Sequence, residues 1–173
     1  MEYQFTLHYR LAEDDQDFDA IVEKLGEAGC DDALVGTGLP GRLGLDFSRE
    51  GSTAEEAMKS ALANVKQAIP TAELVEAVPD YVGLSDAAEV VGVSRQNLHK
   101  LMAKHKSFPA PIHAGSFSLW HLADLMNWLQ LTQDYQLEES RLEVARVAKQ
   151  INLIKQSRDV QPSLGRSFEQ YVY

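Results

Sequence analysis

From Ser94 to Ser107 the chain carries Arg95, Lys100, Lys104 and Lys106, together with Gln96, Asn97 and His99, and not one Asp or Glu. An arginine fork can grip two acceptors on a guanine edge, and a Gln or Asn amide can both donate to and accept from an adenine edge. Lysine suits phosphate oxygens, and Ser94 and Lys100 are the residues of this run best placed for them. The chemistry on offer is therefore recognition of a polyanion with readable edges. Other chemistries lack their residues. No nucleophile stands with a base and no pair of carboxylates is set for acid–base work, so the chain does not read as an enzyme. His99, His105, His113 and His121 have no cysteine nearby and lack the spacing of a helical ligand pair, which argues against a metal. The stretch Gly36 to Gly44 lacks the Gly-Lys-Ser/Thr ending of a phosphate loop and reads as a turn-rich hairpin connection, so no cofactor is expected.

The flanking sequence says how these residues are held. Ser85 can cap a short helix, Asp86 to Val91, and Gly92 falls where a tight turn between two helices needs a left-handed residue. Ser94 is a good N-cap for the next helix, and Val93 and Leu98 have the spacing of a hydrophobic staple. Ala87, Ala88, Val91, Val93, Leu98 and Leu101 can form one small core, leaving Arg95, Gln96, Asn97, His99 and Lys100 outward. This is helix-turn-helix geometry with the second helix as reader. Phe108 to Trp120 follows, with Gly115-Ser116 able to turn a short hairpin. Leu122, Leu125, Met126 and Leu129 then give the i, i+3, i+4, i+7 spacing of a packed helix, and Trp120 and Trp128 read as core.

Leu84-Ser85-Asp86-Ala87-Ala88-Glu89-Val90-Val91-Gly92-Val93-Ser94-Arg95-Gln96-Asn97-Leu98, followed by Phe108-Pro109-Ala110-Pro111, Leu119-Trp120 and Trp128-Leu129, resembles the winged helix-turn-helix of the MerR superfamily. The likeness is to its small AlpA-like and excisionase-like members and to phage terminase small subunits, and it covers residues 81–129. The hairpin tip departs from the pattern: such wings often carry Arg or Lys, and here the tip is Ala114-Gly115-Ser116-Phe117. The resemblance implies binding to double-stranded DNA. The expected reading is a sequence-specific transcriptional regulator of phage, mobile-element or toxin-antitoxin type. The alternatives are a DNA-packaging or recombination accessory protein, or an adaptor or antitoxin acting through an acidic domain.

The first 79 residues read as a separate unit. Tyr3 to Leu11 alternates as a half-buried strand. Phe18, Ile21, Val22 and Leu25 recur at helical spacing, Ala33 to Val35 and Leu43 to Phe47 read as strands, Thr53 with Glu56 opens a second helix, and Ala72 to Val78 is a last strand. The order strand, helix, strand, strand, helix, strand is that of a ferredoxin-like βαββαβ domain, so the class is α+β. Val78 to Tyr81 reads as a short linker. Residues 80–130 would be the DNA-binding domain, 131–156 a dimerisation helix and 157–173 a flexible tail. In that helix Leu137, Val144 and Ile151 are seven apart, as are Val147 and Ile154, an a/d stripe that favours a homodimer.

Charge is distributed unevenly. Residues 1–79 hold six Lys and Arg against sixteen Asp and Glu, which accounts for the whole net charge of −10. Asp14, Asp15, Asp17, Asp31 and Asp32 would form an acidic surface for a basic protein partner, turned away from DNA. The start of the chain has neither the basic nor the apolar region of a secretory signal. No apolar run is long enough for a bilayer. The single cysteine, Cys30, permits no intrachain disulfide, which fits a reducing cytoplasm.

Overall fold

Alternation of apolar and polar side chains makes Glu2–Arg10 a strand, β1, with Tyr3, Phe5, Leu7 and Tyr9 buried and Gln4 and His8 exposed. The computed structural model describes residues 1–15 and 17–172. Asp17 caps α1 (Phe18–Glu27), its carboxylate accepting from Ala20 N at 3.1 Å. Strands β2 (Ala33–Gly36) and β3 (Arg42–Glu50) form a hairpin. Thr53 then caps α2 (Ala54–Ala68), accepting from Glu56 N at 3.1 Å, and β4 (Glu73–Val78) follows. The four strands make one antiparallel sheet in the order β2-β3-β1-β4. Helices α1 and α2 bury their apolar faces against one side of it.

A buried arginine fastens this half together. Arg49 on β3 is only 8% exposed. Its Nε and Nη2 donate to the two oxygens of Asp32 at 2.7 Å each, Nη2 also donates to Gly29 O at 2.7 Å, and Nη1 donates to Ser60 and Asn64 at 3.2 Å. The guanidinium lies 4.9 Å from the Phe47 ring centroid. A charge this deep is tolerated because every donor is matched. The arginine also holds the Asp32 carboxyl below the usual carboxylate range. Three members of the expected acidic surface are therefore engaged within the chain. Asp32 is held by Arg49, Asp17 caps α1, and Asp15 accepts from Thr71. Asp14, Asp17 and Asp31 are exposed, and Asp15 and Asp32 are half-buried.

The second half begins with β5 (Tyr81–Val82) and continues through α3 (Leu84–Val91), α4 (Arg95–Lys104), β6 (His113–Ala114), β7 (Ser118–His121) and α5 (Leu122–Gln133). Its small antiparallel sheet has the order β5-β7-β6. The expected single helix from Leu131 to Gln156 is two elements. Asp134 takes φ 54° and ends α5, Tyr135 N bonds back to Leu129 O at 3.3 Å, and α6 (Glu139–Ser157) starts afresh. Beyond it the expected flexible tail contains a helix, α7 (Pro162–Val172), which buries no residue; Tyr173 lies outside the described residues. Among the described residues there are seven helices and two antiparallel sheets, an α+β protein. No described helix is long and apolar enough to cross a membrane.

Helix α6 belongs to both halves. Val144 and Ala148 sit in the core under the large sheet with Val147 and Ile151 packed against it, while Leu142 and Ala145 sit in the core of the second half, flanked by Leu137. The a/d stripe is thus covered by the chain itself. Val144 is 2% exposed and has no surface to offer a second chain; of the five stripe residues only Ile154, at 63%, stays open. A helix flanked by two apolar surfaces in its own chain buries its stripe there before it can meet a copy of itself.

The connection between the halves is sealed rather than loose. Asp80 is fully buried. Its Oδ1 lies 2.7 Å from His121 Nδ1, its Oδ2 accepts from Asn152 Nδ2 at 2.8 Å, and its carbonyl accepts from Leu122 N at 2.7 Å. Asn152 also accepts from Ala77 N at 2.9 Å and donates to Ala77 O at 2.8 Å, so its amide completes the edge strand β4 as a neighbouring strand would. One polar cluster therefore joins β4, the connection, β7 and α6.

Candidate nucleic-acid interface

The α3–α4 unit is built by its caps. Helix α3 begins at Leu84 with Gly83 as N-cap, two residues ahead of the cap expected at Ser85; Asp86 Oδ2 accepts from Gly83 N at 3.3 Å and does the capping instead. Gly92 ends the helix at φ 72°, a left-handed conformation that costs a side-chain-bearing residue energy. Val93 N returns to Ala88 O at 2.9 Å, closing a short turn. Ser94 caps α4, its Oγ accepting from Asn97 N at 3.1 Å, so the hydroxyl already has a partner within the chain. Leu98, Ala87 and Ala88 are buried where the helices cross. Ala88 allows the close approach.

This packing sorts α4 into two faces. Leu98 is buried and Asn97, Leu101 and Met102 are half-buried; Arg95, Gln96, His99, Lys100, Ala103 and Lys104 are exposed. Among the described residues the side chains of Arg95, Gln96, His99, Lys100 and Lys104 have no hydrogen bond or ion pair. Asn97 differs from them. Its Nδ2 donates to the Tyr135 hydroxyl at 2.8 Å, anchoring α4 to the chain just beyond α5, and this removes it from the group placed to read an edge. Ala103 joins the face in its place. Sequence reading passed over it because alanine has no polar group, although its spacing from His99 (i+4) and Lys100 (i+3) puts it on this side, and a methyl group there can meet a thymine methyl.

The hairpin beyond α4 is packed and hydrogen-bonded at its base. Phe108 packs edge-on against Trp120 and Trp128, Trp120 Nε1 donates to Pro109 O at 2.9 Å, and Trp128 Nε1 donates to Ser107 at 3.2 Å. His105 lies edge-on to Trp128 at 5.6 Å. Strands β6 and β7 pair His113 with Leu119 and Ala114 with Ser118, and Gly115 N donates to Phe117 O at 3.1 Å across the turn. Residues 110–117 are all exposed, and Phe117 is 60% exposed with its ring 5.2 Å from that of His113. The tip thus presents an aromatic ring without a formal cation. The four histidines considered for a metal are dispersed among α4, its C-terminus and the two strands, with His121 turned to Asp80. Among the described residues no three His, Cys, Asp or Glu side chains are grouped to hold a metal ion.

Comparison with protein-family models, with curated proteins and with solved structures finds no match to this chain. The functional reading rests on the geometry above.

Proposed function

We propose that the chain is a sequence-specific double-stranded DNA-binding protein, a transcriptional regulator whose residues 81–129 form a winged helix-turn-helix and whose first 79 residues form a ferredoxin-like domain. The observation that carries the reading is the exposed face of α4: Arg95, Gln96, His99, Lys100 and Lys104 together, without a hydrogen-bond or ion-pair partner among the described residues and without a carboxylate on the helix. The capped turn at Gly92, the antiparallel β6–β7 hairpin and the strand order β2-β3-β1-β4 support the two fold assignments. In this reading Arg95 and Gln96 meet base edges in the major groove, Lys100 and Lys104 meet phosphates, and Phe117 offers the hairpin tip to the minor groove as an apolar wedge.

The test is selection of bound duplexes from a random library with the full chain, followed by anisotropy titrations at several salt concentrations. An enriched motif whose affinity falls steeply with salt supports the reading. Recovery of no motif, with binding at low salt no tighter than that of an acidic control protein, would end it.

A further inference from the structure

Two of the open apolar surfaces of this chain complement one another. The first is the outer stripe of α7. Leu164, Phe168, Tyr171 and Val172 recur at i, i+4, i+7, i+8 and are 52%, 56%, 76% and 69% exposed. The second is a groove of about 430 Å³ between the end of α2, the β4 edge and the last turns of α6, with Leu62, Leu74, Ile151 and Ile154 among its lining and Lys155 and Arg158 at its rim. Ile154, the one stripe residue of α6 left uncovered by its own chain, belongs to this groove.

We propose that the groove receives α7 of a second copy of the chain, and that the exchange is reciprocal. A two-fold axis then places each α7 in the other copy's groove, a closed and self-limiting arrangement. The four stripe residues expose on the order of 500 Å² of mostly apolar surface. Two helices in two grooves bury twice what a single pairing does, which brings the contact closer to the roughly 1,200–2,000 Å² of a stable interface. Glu169 borders the stripe on the Val172 side and can meet the cationic rim at Lys155 and Arg158. The short connection from Ser157 to Pro162 is itself turned, with Asp159 N bonded to Gln156 O and Val160 N to Ser157 O at 3.2 Å, and it leads into α7, of which no described residue is fully buried on its own chain. A membrane surface is a poorer partner, because the polar side of α7 carries Arg166 against Glu169 and no excess of cations. The proposal does not depend on DNA binding.

The full chain is examined by light scattering over a range of concentrations, beside the double variant Leu164→Asp/Phe168→Asp and the groove variant Ile154→Asp. All three positions are exposed, so both cores should stay folded in the variants, as circular dichroism checks, while melting falls to the extent that the dimer stabilises the parent. The expected result is a mass twice the 19.2 kDa of one chain for the parent and a single-chain mass for both variants. A second measurement identifies the occupant. Phe168→Cys is oxidised with Ile154→Cys, in one chain and in mixtures of the two single variants; Cys30 is buried and stays silent. Cross-linked dimers from the mixture support the exchange. A parent chain of single mass at every concentration, a dimer untouched by the variants, or a bridge formed only within one chain would overturn it.

Discussion

Two residues apart on α4, Arg95 is exposed and Asn97 donates to Tyr135. They should therefore fail differently. Arg95→Ala is expected to cost about 1–3 kcal/mol of binding and to relax preference at one position of the site. Lys100→Ala should weaken all sequences alike and lower the salt slope by about one. Asn97→Ala should leave base preference alone and lower the unfolding free energy by about 0.5–1.5 kcal/mol, the worth of one hydrogen bond. A changed preference at one base in the Asn97 variant would restore it to the reading face. At Asp32 the prediction concerns pH. Its carboxyl is held below the usual range by Arg49, so its folded pKa lies below its unfolded one. The pairing is then fully present above the ordinary carboxylate value, about 3.9, and is lost as pH falls through the lower folded value. Asp32→Asn should be less stable than the parent at neutral pH, with the difference shrinking at the acid end of a pH series of denaturation midpoints. A constant difference down to the lowest pH would refute the assignment. Cys30 is buried and burial pushes its thiol up, so it should react with a thiol reagent only when the chain unfolds.

Among the elements, α6 was the least readable in the sequence. Local signals placed most of the others: alternation gave β1, Thr53 opened α2, and Gly92 with Ser94 fixed the α3–α4 turn. The face of α4 was readable for the same reason, since Leu98 and Leu101 declare which side is inward. Asn97 was not, because its partner Tyr135 lies 38 positions away. The periodicity of α6 was likewise visible, but a heptad stripe states only that something apolar must cover a helix. What covers it here comes from residues more than 60 positions earlier, including Ala77 and the α2 side of the sheet core. Asp80 and Asn152 show the same limit, since neither residue type signals burial alone. Asn152→Ala would leave both backbone groups of Ala77 and one oxygen of Asp80 without this partner. The expected loss is about 1–3 kcal/mol for each group that stays dry, read as a shift in the denaturant midpoint. Val144→Asp should unfold the chain, because it puts a charge where the side chain is 2% exposed.

At the scale of the whole molecule the two cores share one helix, and this alters what a dissection can show. A fragment starting at Asp80 would lose the large sheet that covers Val144 and Ala148 and would break the Ala77–Asn152 pairing. It is expected to be less stable than the full chain, so lost DNA binding by such a fragment would not by itself place residues 1–79 at the DNA. The halves should instead unfold together. Trp120 and Trp128 report on the second half and Cys30 on the first, so fluorescence and thiol reactivity should follow one transition in denaturant. Two separate midpoints would show that α6 does not couple them.

The place of α6 in the chain also governs the order in which the protein can mature during synthesis. Residues 1–78 contain every strand of the large sheet, yet the core beneath it includes Val144 and Ala148, which are made some seventy residues later. Until α6 has been translated, the β4 edge and the side of α2 that it covers stay open to water and to other nascent chains. The N-terminal half is made first and finished last, and a message cut short before Val144 would release a sheet with that edge still uncovered.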